Sequence, residues 1–412
     1  MPNRHRENLI CIFQAAIAAV NGRIRVRDFL KDKPLPGKIY LVAIGKAACA
    51  MAQGAQDALD GRIADALVIT KKGYAESLPW PVWEAGHPLV DETSLEAGQR
   101  LLAFVEKIPK DNQVLVLISG GASALVEALP PAISLEQFQN INRWILASGL
   151  DINDYNRIRR RLSRLKGGRL SKLLFPRNVL CLAISDVPGD EMRAIGSGPL
   201  TSDPDLQQPL SITGLPDFIT QALRHVPPAP APTDACFRKV NQIIIAKLDD
   251  AKRAAVDAAV ALDYRATFET KFISGDVVET GTTLGKMALT AEPGMLRVWG
   301  GETTVRLPES PGRGGRNQSL ALAASLTLQG SDHVWFLAAG TDGTDGATED
   351  AGALVDGGTV ARGEAAGLNA RQSLERADAG TFLEASGDLI QTGPTGTNVM
   401  DIMLGLRLTP GS

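Results

Sequence analysis

At 412 residues the chain is longer than one ordinary core organises, so two domains are the default. With 44% hydrophobic and 22% charged residues it has the composition of a globular protein, and a net charge of −3 argues against a general nucleic-acid binder and for a cytoplasmic metabolic protein. The cysteines Cys11, Cys49, Cys181 and Cys236 show no metal spacing, and no run reaches about 18 uninterrupted apolar residues, so neither a thiolate metal centre nor a membrane span is expected.

Ile10, Phe13, Ile17 and Val20 recur at helical spacing, and Glu7, Asn8 and Gln14 interrupt what could pass for a signal segment, so an amphipathic first helix is expected. Strands are expected at 39–44, 66–70, 114–119, 179–185, 242–246, 295–299 and 335–339. Helices are expected at 46–60, 92–107, 134–148, 155–172, 249–262, 276–290 and 315–329. This alternation predicts α/β layers with largely parallel sheets, whose ligands bind at loops leaving the carboxyl ends of strands. Pro227, Pro228, Pro230 and Pro232 lie in a stretch that cannot continue a helix or central strand, so 225–235 is expected to link domains 1–235 and 236–412.

Five strand-to-loop transitions can carry chemistry. After the first strand, Gly45 is followed by Lys46, a cation misplaced at a helix start unless it serves an anion; the plain alternative is a surface lysine. Next, Ser119, Gly120, Gly121 and Ser123 lie between a buried strand and a helix, where bare N–H groups can cradle a phosphate or carboxylate. Asp186 and Asp190 follow strand 179–185; either suits Mg2+ or a hydroxyl proton, and a turn-capping role is the alternative for Asp190. The last two loops hold Glu302, Arg313, Arg316 and Asn317, then Asp342, Asp345, Glu349 and Asp350, with arginines for oxyanions and carboxylates for Mg2+.

Residues 153–172 read as one basic amphipathic helix ended by Gly167 and Gly168, with a solvated arginine face; Arg159 and Lys166 are its candidates for facing an anionic ligand. His87, in AGHPLVDE, is the one histidine beside a plausible loop, with a structural turn and a catalytic role equally open. No G-x-G-x-x-G follows a strand, GTTLGKM at 281–287 falls short of a P-loop, and no G-x-S-x-G elbow or protein-kinase motif set occurs.

Taken in order, GKAACAMA, GHPLVDE, ISGGASAL, NRIRRRLSRLKGGRL, ISDVPGD, IGSGPL, GGETTV, GRGGRNQ, GTDGTDG and TGPTGTN resemble the glycerate 2-kinase family, whose C-terminal half is the MOFRL domain. Ala122 departs from a third glycine usual in that family. The resemblance implies an α/β fold with a Rossmann-like N-terminal domain, a smaller MOFRL-type C-terminal domain and an active site in the cleft between them. It also implies phosphorylation of D-glycerate to 2-phosphoglycerate with ATP and Mg2+. Lys46 and Arg316 match positions associated with the family's active site, and Asp186 and Asp190 fall in another active-site block. The resulting expectations are as follows: Lys46, Arg316, Asp186 and Asp190 are catalytic. Ser119, Gly120, Gly121, Ser123, Lys166, Gly340, Thr341 and Asp342 bind nucleotide, and Asp186, Asp190, Asp342 and Asp345 are candidates for the metal. Partners are glycerate and a nucleotide, without nucleic acid or membrane, and a homo-oligomer is left open. The rivals are an NAD(P)H-dependent hydroxypyruvate reductase, a label that relatives carry, and a non-catalytic sugar-acid or nucleotide sensor.

Overall fold

The computed structural model describes residues 2–33, 35–150, 152–210, 212 and 214–409. Contacts divide the chain into residues 22–245 and a second unit made of 1–21 together with 246–412.

The first unit holds a six-stranded sheet of β1 (Ile39–Ile44), β2 (Ile63–Lys71), β3 (Val82–Ala85), β4 (Gln113–Ile118), β5 (Asn178–Ile184) and β6 (Val240–Ala246). Its order is β3-β2-β1-β4-β5-β6, with β1 parallel to β2 and β4, β2 parallel to β3, and β4 parallel to β5. This is the doubly wound nucleotide-binding order, and its direction reverses between β1 and β4. Val114, Leu115, Val116 and Leu117 are fully buried, as a strand covered on both faces requires.

The second unit adds β7 (Arg265–Phe268), β8 (Met295–Gly301), β9 (Val334–Gly340), β10 (Gly352–Asp356), β11 (Leu389–Ile390) and β12 (Asp401–Arg407), in the order β11-β10-β9-β12-β8-β7. The expectation of largely parallel sheets fails here. β12 lies antiparallel between β8 and β9, β10 is antiparallel to both β9 and β11, and the β7–β8 pairing is parallel. Helices Val277–Leu289 and Arg316–Leu328 pack closely, because a Cβ at Gly281 would lie 2.4 Å from the Leu320 carbonyl oxygen. Gly281 and Gly285 of GTTLGKM therefore serve helix packing.

Two other expectations are corrected. The basic stretch is two helices, Ile152–Arg161 and Arg169–Leu174. Between them the Ser163 hydroxyl accepts from the N–H groups of Leu165 (3.1 Å) and Lys166 (3.2 Å), and Arg164 N–H donates to Ala128 (2.8 Å), which diverts donors a continuing helix would use. Its arginine face grips the 203–209 segment: Arg157 donates to carbonyls of Asp205, Gln208 and Pro209, and Arg160 pairs with Asp203 at 2.7 Å.

The proline stretch is likewise no boundary. Arg169 and Gln207 donate to carbonyls of Pro227, Ala229 and Pro230, which pins it within the first unit, and β6 beyond it completes the first sheet. The division comes at 245/246, and helix Pro2–Ala19 joins the second unit by packing on helix Leu248–Ala261. Residues 4–32 are long and apolar enough by composition to cross a membrane, but they form two helices broken at Val20–Asn21, with Leu9, Ile12 and Phe13 fully buried.

Candidate functional site

In the first unit the loops leaving β1 and β4 are stapled together at the point where the winding reverses. Ser119 N–H donates to Ile44 (3.0 Å), Lys46 N–H donates to Gly120 (2.9 Å), and the Ser119 hydroxyl accepts from Ala47 N–H (3.0 Å). Gly45 permits the approach: its φ is +133°, and a Cβ there would overlap the Ser119 hydroxyl at 2.1 Å. Ser119 is thus buried as the staple itself. The N–H groups of Gly120 and Gly121 donate to no acceptor among the described residues, and Gly120 is buried. Two adjacent bare donors at this place are open to an outside acceptor. A Cβ at Gly121 (φ +85°) would come 3.2 Å from His87 Nε2 and 3.4 Å from Lys46 Cγ, so both side chains border the turn.

The helix after the turn is a single turn, Ala122–Leu125, and so lends little dipole to an anion, contrary to expectation. Instead a second glycine loop closes on it. Ser123 and Ser197 hydroxyls are hydrogen-bonded at 2.8 Å, and the N–H groups of Gly167 and Gly168 hold the carbonyls of Ser197 (3.2 Å) and Gly198 (2.9 Å). Lys166, expected at the nucleotide, is 2% exposed and donates to the fully buried Glu127. Burial pushes its pKa down, Glu127 opposes this, and Arg159 adds to the lowering. Asp186 and Asp190 are half-buried on the turn after β5, beside β4 in the sheet.

In the second unit the strand register brings Asp401 level with Gly301 of β8 and Gly340 of β9. Arg316 opens helix Arg316–Leu328, where its charge opposes the helix dipole, and it is held by Glu302 and by Asp401 at 3.6 Å. Burial alone lowers the guanidinium's pKa, but Asp401 and Glu302 outweigh it and raise it. Asp345 is the cap of that helix: it accepts from the N–H groups of Asn317 (3.1 Å) and Gln318 (2.8 Å). A Cβ at Gly315 would meet the Asp345 carboxyl carbon at 2.2 Å, so this glycine makes room for the protein's own carboxylate.

Burial raises Asp345 to about 7 against those two N–H bonds. Asp401 rises to about 6 through burial, against the pull of Arg316 and Asn317, with Glu302 and Asp342 adding to the rise. Asp342 accepts from Thr344 N–H at 3.1 Å in a local turn. Thr341 is fully buried and is bonded to Met400, Val399 and Thr395, and Gly340 N–H donates to Ala351, so both shape the loop.

The structure thus gathers Lys46, Ser119, Gly120, Gly121 and Ser123 at one edge, and Arg316, Asp342 and Asp345 around Asp401 at another; Lys166 is taken up by Glu127. Among the described residues no group of three or more histidine, cysteine, aspartate or glutamate side chains could hold a metal ion. Sequence reasoning missed Ser197, Glu127 and Asp401. Ser197 stands in the glycine-rich IGSGPL and Asp401 ends TGPTGTNVMD, so both had a signal in their blocks; Glu127, inside an apolar run, had the signal of a costly buried charge.

Residues 8–214 match the family described as a domain of unknown function (DUF4147), and residues 295–401 match the MOFRL family. The chain is 35% identical to the D-glycerate 2-kinase of Thermotoga maritima, over 98% of this chain and 99% of that one. A protein of Agrobacterium vitis provisionally named a hydroxypyruvate reductase is 34% identical, over 96% of this chain and 93% of its own. The crystal structure of a Thermotoga maritima glycerate kinase matches with a TM-score of 0.85 at 33% identity, covering 98% of this chain and 100% of that one. The chain belongs to the glycerate kinase family that combines a DUF4147 domain with a MOFRL domain.

Proposed function

We propose that this chain is a cytoplasmic kinase that transfers the γ-phosphoryl group of ATP to the 2-hydroxyl of D-glycerate, giving 2-phosphoglycerate and ADP. The observation that carries the reading is the pair of unpaired N–H groups at Gly120–Gly121, bordered by Lys46 at the reversal point of a doubly wound sheet. Backbone donors with a neighbouring ammonium suit phosphate oxygens, and transfer between oxygens depends chiefly on such charge neutralisation and alignment. Lys46 stabilises the transferring phosphoryl group, and Arg316 grips an oxyanion through its planar fork. Mg2+ takes one or two protein carboxylates and otherwise phosphate and water oxygens; Asp186 and Asp190, half-buried on the turn after β5, the strand paired with β4, fit that donor set. Held by these aspartates, Mg2+ would supply charge neutralisation. We assign to the same aspartates the orienting of the 2-hydroxyl or the acceptance of its proton.

A reductase reading finds less support. The loop after β1 is Gly45-Lys46-Ala47 without the dinucleotide glycines, and β2 ends at Lys71, followed by Lys72, where the dinucleotide pattern carries an acid for a ribose hydroxyl. Purified protein with ATP, Mg2+ and D-glycerate should release ADP, with the product identified as 2-phosphoglycerate by NMR, and should leave NADH untouched when given hydroxypyruvate. Lys46→Ala and Arg316→Ala should each lower kcat/KM by about 100-fold or more. Normal turnover by either variant removes that residue from the mechanism, and rapid NADH oxidation overturns the kinase reading.

A further inference from the structure

The AGHPLVDE block brings His87 against the Gly121 turn. That position is unusual for the topology. β3 stands three strands from β4, a separation of about 14 Å across the sheet. Yet the edge of the His87 ring, two residues past the end of β3, lies against the turn after β4: a Cβ on Gly121 would meet Cδ2 at 3.1 Å and Nε2 at 3.2 Å. The 86–90 segment therefore runs back across the carboxyl ends of β2 and β1.

Its course is held firmly. Gly86 N–H donates to the Thr93 hydroxyl (3.0 Å), and Asp91 caps helix Glu92–Lys107 through Ser94 N–H (3.1 Å) while accepting from the Lys72 ammonium (3.0 Å). A Cβ at Gly86 would collide with the Asp91 carboxylate at 2.4 Å. Burial works against the Asp91 carboxylate, but the bonds from Thr93, Lys72 and Ser94 prevail and hold its pKa at about 2. Beside the segment lies a cavity of about 290 Å³, lined by Lys71, Lys72, His87, Leu89 and Asp91 among others. His87 is thus a wall shared by this cavity and the Gly121–Lys46 turn.

We infer that this cavity is the subsite for the carboxylate of the acid acceptor, with a His87 ring N–H as donor to that carboxylate and Lys71 as the balancing charge. The inference rests on the glycerate kinase reading and deepens it. The lining favours a small anion over a nucleotide base: with Lys72 and Asp91 bonded to each other at 3.0 Å, it is left with the Lys71 ammonium and the His87 imidazole, and its one aromatic ring is that of His87. A carboxylate leaving water needs such partners, since unpaired burial of a charge is costly. Proximity to Lys46 also sets the acceptor's hydroxyl beside the phosphate turn, as in-line transfer demands.

The test is steady-state kinetics on the full chain, varying glycerate and ATP separately. His87→Ala should raise KM for D-glycerate by about tenfold or more and leave KM for ATP within about twofold, while His87→Gln, which keeps an N–H at similar reach, should recover part of the loss. Leu89→Glu guards against a folding artefact. Leu89 is 73% exposed, so the change spares the core yet sets a like charge at the cavity and should also raise KM for glycerate. An active wild type whose three variants keep the glycerate KM, or shift the ATP KM instead, overturns the subsite alone. A wild type that leaves glycerate unphosphorylated overturns the activity reading and the subsite with it.

Discussion

Arg316 and Asp345 meet at the start of one helix for opposite electrostatic reasons. The exposed N–H groups there favour a negative charge, which Asp345 supplies from the neighbouring loop, while the Arg316 guanidinium is tolerated because Glu302 and Asp401 surround it. Gly315, in the loop that carries Arg313 and Arg316, therefore admits an internal carboxylate. Asp401 carries a pH signature. Its carboxyl is raised from 3.8 to about 6, so the folded chain holds this proton more tightly than the unfolded chain does. Folding then takes up a proton between those values, and this group's contribution to stability is present below pH 3.8 and is lost as pH rises through 6. Asp401→Asn should flatten the fall in unfolding free energy between pH 4.5 and 7 by roughly 2 kcal/mol, measured by urea denaturation at each pH. An unchanged slope would remove Asp401 as its source.

At the level of elements, the loops of the first unit depend on a buried ion pair. Glu127 follows the single turn after Gly121, and Lys166 precedes the two glycines that hold the Ser197 loop. Removing one partner strands a charge away from water, so Glu127→Ala should cost about 3–5 kcal/mol in chemical denaturation. Glu127→Ala with Lys166→Met should regain most of that, and a double variant as unstable as the single one would show that the loss is packing and not charge. Which elements were legible beforehand follows from similar physics. β1, β4 and β9 are continuous apolar runs with loop residues beyond them, and helix Glu92–Lys107 announces itself by Asp91 and Ser94 at its start. β3 has only four residues, and Gly405 interrupts β12, so neither makes a clear pattern. The false continuation of helix Ile152–Arg161 arose because spacing records which face is apolar, whereas the Ser163 hydroxyl that ends the helix acts through a local bond. At the candidate site the strand-end residues could be found, but Asp401, although it ends the TGPTGTNVMD block, meets Arg316 only because β12 is inserted between β8 and β9.

For the molecule as a whole, reading domains in chain order misplaced the first helix. Leu9, Ile12, Phe13 and Ala16 are all fully buried in a unit whose remaining residues begin at 246. Phe13→Ala should cost about 3–5 kcal/mol and raise hydrogen exchange in helix Leu248–Ala261 and β7–β8, with β1 and β4 protected as before. Equal deprotection of β1 and β4 would contradict the assignment of this helix to the second unit. That assignment also has a consequence for synthesis. The apolar face of residues 9–16 is synthesised well before the surface that covers it, which is encoded after residue 245. During translation the nascent chain must carry a sticky amphipathic segment past a complete doubly wound domain before it finds its seat. Until that seat exists the exposed apolar face is open to non-native contacts, so the folding of the second unit waits on the completion of the first.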